Sequence, residues 1–390
     1  MKPRRPSWLV ALRVLTASVV IGLIWIGLRN CRFAAEPEPA VAPAPVTVTL
    51  VAVGDTLVHT PEIAAAWDAR AKTYDFRPFF ALLRPILSGA DLATAVLETT
   101  LGGPEGGYTG YPRFNSPDQI AEALQWAGVD VVFTAHNHVM DRGIKGVWRT
   151  IETLDRLGLA HVGTARTPDP AARVLLREVR GVKFAFLAYT TSTNGLPVPP
   201  AQAWAVNLYD PGRVGEDVAY ARRAGAEIVV CAVHYGIEYQ RRPDAAQRAV
   251  VDLLLAAGVD VVLGSHPHVI QPVELRVLPS PDGGGRTAFI AYSLGNLVSN
   301  QRQRYTDCGL LVTLEAARGP GGAVRLTRAQ WQPFWVHKYQ AAGRPAYRII
   351  PVDATAAAAV PADDPLLTRE DRRRMAEVWE ETAALLAPTE

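Results

Sequence analysis

The chain reads as a layered α/β protein with mainly parallel strands followed by antiparallel ones, and three observations predict this. Short β-branched runs alternate with segments of helical period from residue 46 to about residue 270, as in strands linked by helical crossovers. One such unit is written twice: Ala127-Gly-Val-Asp-Val-Val132 recurs as Ala257-Gly-Val-Asp-Val-Val262, with a looser copy at Ala224-Gly-Ala-Glu-Ile-Val229. After Pro272 the helical segments give way to strands near 287–293, 308–315 and 323–332, which succeed one another directly as antiparallel strands do.

The amino-terminal segment lies outside that pattern. Six basic residues, Lys2, Arg4, Arg5, Arg13, Arg29 and Arg32, precede any acid. The net charge of +2 therefore hides a slightly acidic main body, and no nucleic-acid footprint is present. Residues 8–28 are an apolar run of roughly spanning length, broken only by Arg13, whose long side chain can snorkel. With bases before it, the run predicts a single-pass membrane anchor over 1–32 and a main domain outside the cytoplasm. A cleaved signal peptide is the rival, but no Ala-x-Ala site closes the run. Residues 33–45 alternate Pro and Ala as an extended linker. The main domain is expected over 46–335, and an extension with an amphipathic helix near 366–387 completes the chain over 336–390.

Residues 46–53 form a nearly continuous apolar strand that runs into Gly54-Asp55. Helices are expected over 62–72 and 78–87, and a strand over 91–97 ends in Glu98. The Gly-, Tyr- and Pro-rich stretch 102–117 reads as a loop over the strand ends. Helix 118–127, strand 129–134 and helix 144–157 come next. Arg180-Gly181 is a hairpin turn between strands near 172–179 and 182–190. Helix 213–224, strand 227–233 and helix 244–257 lead to a strand at 259–263, too short and too β-branched for a helix. One sheet, covered by helices on both faces, is the expectation. Pro281-Asp-Gly-Gly-Gly285 is a turn, and Cys31, Cys231 and Cys308 make no disulfide framework.

Potential ligands recur where strands end: Asp55, Glu98, Asn137 with His138, His234, and His266 with His268. A single polar strand end is ordinary, since loops are polar, but five delivering carboxylates, an amide and imidazoles are not. Pro267 is expected to bias His266 toward an extended backbone, so that the imidazoles on either side of it point the same way. Carboxyl ends of parallel strands are where open α/β sheets place their sites. Mixed oxygen and nitrogen ligands suit Mn, Zn or Fe and are too many for one tetrahedral ion. Two divalent metal ions sharing a carboxylate would use them.

This order of Gly-Asp, carboxylate, Asn-His, His and His-x-His resembles that of calcineurin-like metallophosphoesterases. More closely, Gly54-Asp55, Leu97-Glu98-Thr99, Asn137-His138-Val-Met-Asp141-Arg-Gly143, His234-Tyr-Gly-Ile-Glu238-Tyr239, Gly264-Ser-His-Pro-His-Val-Ile-Gln271 and Tyr292-Ser-Leu-Gly-Asn296 resemble successive blocks of the CapA/PgsA family of capsule and poly-gamma-glutamate synthesis proteins. The resemblance covers about residues 46–300 and implies the calcineurin-like architecture. It implies that Asp55 holds one metal, Glu98 bridges, Asn137, His234 and His266 hold the second, and His268 returns to the first. His138 would be the general acid facing the leaving group, and Asp141 would orient His138 or fix its loop. Arg142 or His59 would contact an anionic substrate, and Glu238 would steer His234 or line the cleft. Two departures stand out: Val96, where the family has Asn, cannot ligate, and His136, also in place of Asn, would either compensate or pack.

These features lead to a membrane-anchored protein acting on a cell-envelope polymer or its precursor. The fold implies phosphoester hydrolysis, the polymer implies amide cleavage or transfer, and both remain open. The alternative is a non-enzymatic accessory subunit that binds the growing polymer or the subunits of a membrane synthase. A secreted nucleotidase is a third reading, which would want an aromatic base clamp from residues such as Tyr108, Tyr111 and Trp204.

Overall fold

The structure, a computed structural model, describes residues 46–279, 285–319, 321–355, 360–361 and 363–387. The expected anchor at 8–28, the Pro/Ala linker, Cys31 and most of the turn at 281–285 lie outside the described residues. Among those described, no helix is long and apolar enough to cross a membrane.

Two sheets lie face to face. In the first, β1 (Thr47–Thr56), β2 (Leu92–Val96), β3 (Val131–Phe133) and β4 (Ala160–Val162) run parallel. The second is built from β5 (Leu175–Val179), β6 (Val182–Thr190), β7 (Ile228–His234), β8 (Val261–Ser265), β9 (Val273–Leu278) and β10 (Arg286–Ala291). Its order is β9-β10-β8-β7-β6-β5, parallel except for the two edge strands. The chain then returns to the first sheet. There β11 (Asn296–Val298) pairs with the end of β1, placing Asn296 opposite Asp55. β12 (Cys308–Arg318), β13 (Val324–Ala341) and β14 (Arg344–Pro351) extend that sheet antiparallel to give β14-β13-β12-β1-β2-β3-β4.

The period-two alternation of the strands decides which side faces what. Val48, Leu50 and Ala52 of β1 share one core with Phe184, Phe186 and Ala188 of β6 and with Ile228, Val230 and Ala232 of β7. Their neighbours point outward: Val51 and Val53 pack with α2 (Gln119–Ala127), while Ala185, Leu187, Val229 and Val233 pack with α4 (Pro211–Arg223) and α5 (Ala245–Ala257). The remaining named helices are α1 (Thr60–Ala66), α3 (Gly143–Leu157) and α6 (Arg369–Leu386).

The expected single sheet is thus two, each helix-covered on one face and sheet-covered on the other. A strand buried on both faces has the same apolar composition whether its second neighbour is a helix or a sheet. Two smaller expectations also change. Helix 62–72 ends at Ala66 in a hairpin pairing Trp67 with Tyr74, and 78–87 becomes two single turns, each restarted by a proline at its first positions. The strand expected at 287–293 is parallel to β8, with antiparallel pairing only to β9. Strands β4, β9, β11 and β14 were not legible, being short, edge-placed or charged.

The repeated Ala-Gly-Val-Asp unit has a physical explanation. Gly128 and Gly258 both stop a helix in the left-handed conformation, with φ of 105°. Two residues on, Asp130 and Asp260 each accept the N–H of a residue in the neighbouring strand, Ala93 and Val229 respectively, at 2.8 Å. Glu227 does the same for Lys183 at 3.1 Å. Each copy is therefore a helix stop, a clamp that sets register, and a strand whose far end delivers a histidine or a segment leading to one. β13 runs through position 335, and the chain beyond that strand adds β14 and α6 to the same compact unit.

Candidate metal centre

The carboxyl ends of the parallel strands of both sheets meet at one place. The first sheet brings Asp55 from β1, Glu98 two residues past β2, and Asn137 from the loop after β3. The second brings His234 from the end of β7 and His266 and His268 from beyond β8. Asp55 and Glu98 are fully buried, and His266 is partly exposed. His234 Nε2 lies 3.0 Å from Asn137 Oδ1 and 3.4 Å from Glu98 Oε1. His268 Nδ1 lies 3.6 Å from Asp55 Oδ2 and 3.7 Å from Glu98 Oε2. Ligand atoms of Asp55, Glu98 and His268 fall within 4.8 Å of one another, as do those of Glu98, His234 and His266. Two triads share one carboxylate.

The electrostatics of this cluster call for a cation. Neither oxygen of Glu98 accepts a hydrogen bond, nor does Asp55 Oδ1, and His266 Nδ1 is likewise unpartnered. Burying carboxylate charge without compensation is costly. Burial pushes the Glu98 carboxyl up to about 8, against the pull of His268. Burial pushes Asp55 the same way, but His268 beside it and the neighbouring His234 imidazole hold it below its ordinary value. Burial also disfavours charge on His268, yet Glu98 and Asp55 lift it to about 9. Burial takes His266 down to about 4 and His234 well below its ordinary value, leaving both neutral, the form that ligates metals. A carboxylate short of donors facing the neutral imidazoles of His234 and His266 is a donor set that fits a divalent ion.

The backbone differs from expectation. His266 and His268 are not extended: both have positive φ, 93° and 57°. Non-glycine residues there are strained by about 1–3 kcal/mol each, and such strain clusters at functional sites. Hydrogen bonds hold the turn from both sheets: His266 N–H donates to Asp55 Oδ2 at 3.1 Å, and Tyr239 N–H donates to Pro267 O at 2.8 Å.

Two supporting residues were not singled out from sequence. Ser265 Oγ lies 2.9 Å from His234 Nδ1, fixing which ring edge faces Glu98. Asn296 Oδ1 lies 3.0 Å from His268 Nδ1, and its Nδ2 donates to the His268 carbonyl at 3.3 Å. Ser265 precedes His266, so a polar residue beside a ligand was the available signal. Asn296 ends the Tyr292-Ser-Leu-Gly-Asn296 block, but only the β1–β11 pairing reveals its task.

His138 stands beside the ligands, with Nδ1 2.8 Å from Asp141 Oδ2, which also accepts the Phe114 N–H at 2.6 Å. The edge of Phe114 packs on the His138 ring, and His138 Nε2 lies 3.4 Å from Asn194 Nδ2. Asp141 therefore orients His138 and ties it to the 102–117 loop. His136 is buried, with its ring 6.2 Å from that of His234 and its Nδ1 unpartnered. It borders a threonine-lined cavity of about 10 Å³, roughly one water's room, and burial holds it far below its ordinary pKa. His136 therefore packs as a neutral ring. Val96 sits buried opposite Asp55 at the end of β2.

The remaining residues divide. Glu238 is exposed and comes within 4.8 Å of His266 and His268, at the mouth, and belongs to no triad with His234. His59 caps α1, accepts the Asn300 N–H at 3.3 Å and packs on Phe114. Arg142 is committed to the 102–117 loop, donating to Arg113 O at 3.0 Å and to Thr109 Oγ1. Neither His59 nor Arg142 joins the ligand cluster.

Residues 49–301 match the family model described as bacterial capsule synthesis protein PGA_cap. The chain is 25% identical over 325 residues to the capsule biosynthesis protein CapA of Bacillus anthracis, covering 80% of this chain and 73% of that one. It is 29% identical over 217 residues to the PGA biosynthesis protein CapA of Bacillus subtilis (strain 168), where it covers 54% of this chain and only 53% of the relative. Among solved structures, the calcineurin-like phosphoesterase YfkN from Bacillus subtilis is similar at 13% identity and a TM-score of 0.44, over 87% of this chain and 98% of that one.

Proposed function

The chain belongs to the bacterial capsule synthesis family that the PGA_cap model describes, and from that membership we propose that it is a metal-dependent hydrolase. Its substrate is a capsule or poly-glutamate type polymer, or a precursor of one, and the bond is a phosphoester or an amide. The apolar run at 8–28 tethers it to the cell membrane, with the main domain outside the cytoplasm and within reach of a membrane synthase.

The observation that carries the reading is Glu98, buried, without a hydrogen-bond donor, and flanked by Asp55 with His268 on one side and His234 with His266 on the other. Asp55, Glu98 and His268 would hold one divalent ion. Glu98, Asn137, His234 and His266 would hold a second, and Mn, Zn or Fe suits these ligands. Bound there, such ions supply Lewis-acid polarisation and acidify water. The chain's own residues do the rest. Ser265 keeps the His234 ring in place through its second nitrogen, and Asn296 holds the backbone carbonyl of His268. Asp141 holds His138 through Nδ1, leaving Nε2 as the edge that hands a proton to the leaving group. Glu238 lines the entrance and repels anions that approach without a cation.

The test is metal analysis of the purified chain, followed by assays on phosphodiester and gamma-glutamyl substrates with wild type, Glu98→Gln and His266→Ala. Two ions per wild-type chain and hydrolysis lost in both variants is the expected result. Full metal loading with no turnover of either substrate would favour a polymer-binding accessory role, and absence of bound metal would end the reading.

A further inference from the structure

We propose that the carboxy-terminal helix α6 is a brace for the metal centre, acting through Arg374, Asp307 and Asn296 on His268; this rests on the reading of His268 as a ligand. α6 and Asp307 both lie beyond residue 301, where the match to the family model ends. The path is continuous. Arg374 grips Asp307 with two parallel hydrogen bonds, Nη2 to Oδ1 at 2.8 Å and Nε to Oδ2 at 3.0 Å, and Trp335 Nε1 donates to the same carboxylate at 2.9 Å. Bidentate pairs of this kind fix orientation as well as distance. Asp307 comes directly after Thr306, whose carbonyl accepts from Asn296 Nδ2 at 2.9 Å. Asn296, fully buried, then holds His268 by its ring nitrogen and by its carbonyl.

A second set of contacts ends on the same rim. Glu381 of α6 pairs with Arg374 and with Arg304, and its carbonyl accepts from Arg241 at 3.2 Å. Arg241 lies two residues after Tyr239, whose N–H holds the Pro267 carbonyl and whose hydroxyl meets Gln301 Nε2 at 3.3 Å. Gln301 Oε1 accepts from Asn296 at 2.9 Å. One helix thus ties down both segments, 236–241 and 301–307, that frame the His266-Pro267-His268 turn. That turn has positive φ at both histidines and keeps its shape only while its surroundings over-determine it. Among the described residues no comparable chain runs from α6 to His234, whose second nitrogen is held by Ser265 inside β8. The brace therefore bears on His268 directly through Asn296 and on His266 only through the turn the two share, and Arg374 is a positioning residue.

The experiment compares wild type, Arg374→Ala, Arg374→Lys and Asp307→Asn in the full chain, with Arg373→Ala as the control on the exposed face of the same helix. Retained fold is checked by circular dichroism and thermal midpoint. The first readout needs no metal: histidine carbethoxylation by diethylpyrocarbonate, mapped by mass spectrometry. His268 is expected to react severalfold faster in Arg374→Ala and Asp307→Asn, less so in Arg374→Lys, with His234 and the Arg373→Ala control unchanged. The second is calorimetric titration with Mn²⁺, in which one of two binding steps weakens by about tenfold and the other by less. Equal acceleration at His268 and His234, or none at His268 in a variant that has lost the Arg374–Asp307 pair, overturns the brace. A wild type that binds no Mn²⁺ would defeat the metal reading while the labelling still decides the brace.

Discussion

Glu98 is the only side chain common to both ligand triads, so its replacement separates the two roles a carboxylate plays there. Glu98→Gln keeps the shape and removes the charge; at least one ion per chain is expected to be lost, measured by mass spectrometry of the metal. His138→Asn is expected to leave metal content intact and lower kcat by about 10²–10⁴-fold, the ordinary worth of a placed general acid. Ser265→Ala frees the His234 ring and is expected to weaken metal affinity by about 10–100-fold without unfolding the chain. The candidate ligands were legible because each is a polar residue where an apolar strand stops. Ser265, Asn296 and Asn194 were not, since what matters about them is which ring nitrogen they face, and that is settled only when separate loops fold together. His136 resisted reading for a related reason: a histidine beside a ligand looks chemical until its threonine-lined, neutral packing is seen.

At the scale of elements, the close approaches matter most. A Cβ added at Gly54 would lie 1.9 Å from Gly295 O, and one at Gly264 would lie 1.9 Å from Tyr292 O. The obstacle is backbone, which cannot step aside, so Gly54→Ala is expected to destabilise by about 3 kcal/mol or more in urea unfolding. α6 supplies a pH dependence. Burial would raise the Asp307 carboxyl, but Arg374 and Trp335 hold it below its ordinary value. A carboxyl depressed on folding contributes stability that is complete above its unfolded value, about 3.9, and is lost as pH falls through the folded value. Urea midpoints are therefore expected to drop on acidification below about pH 4, and to drop less in Asp307→Asn. The helix stops at Gly128 and Gly258 could be read from Ala-Gly repeats. The break at Ala66 could not, because residues 62–72 have helical composition and the hairpin that ends α1 forms through cross-strand pairing.

At the scale of the whole molecule, the candidate ligands are divided: Asp55, Glu98 and Asn137 come from one sheet and its loops, and His234, His266 and His268 from the other. Phe186 is fully buried between the sheets, with its ring 6.4 Å from Phe133, whereas Leu254 of α5 is fully buried in the outer layer, where that helix packs with α4 and the second sheet. Phe186→Ala and Leu254→Ala are each expected to cost about 2–5 kcal/mol of stability. Only the first should also weaken metal binding at temperatures where both variants stay folded, as titration calorimetry would register. The alternation of strands and helices and the later antiparallel run were readable, and so was the burial of both strand faces. That the second face meets a sheet was not, because apolar side chains do not name their partners.

The placement of Asn296 opposite Asp55 has a mechanical consequence. The chain leaves one sheet at β10 and re-enters the other at β11 within a handful of residues, beside the cluster itself. That stitch allows the layers to hinge there but not to slide. An ion gripped from both layers acts as a rivet set next to the stitch, and chelation would then be felt as looseness between the two plates rather than as the unravelling of either.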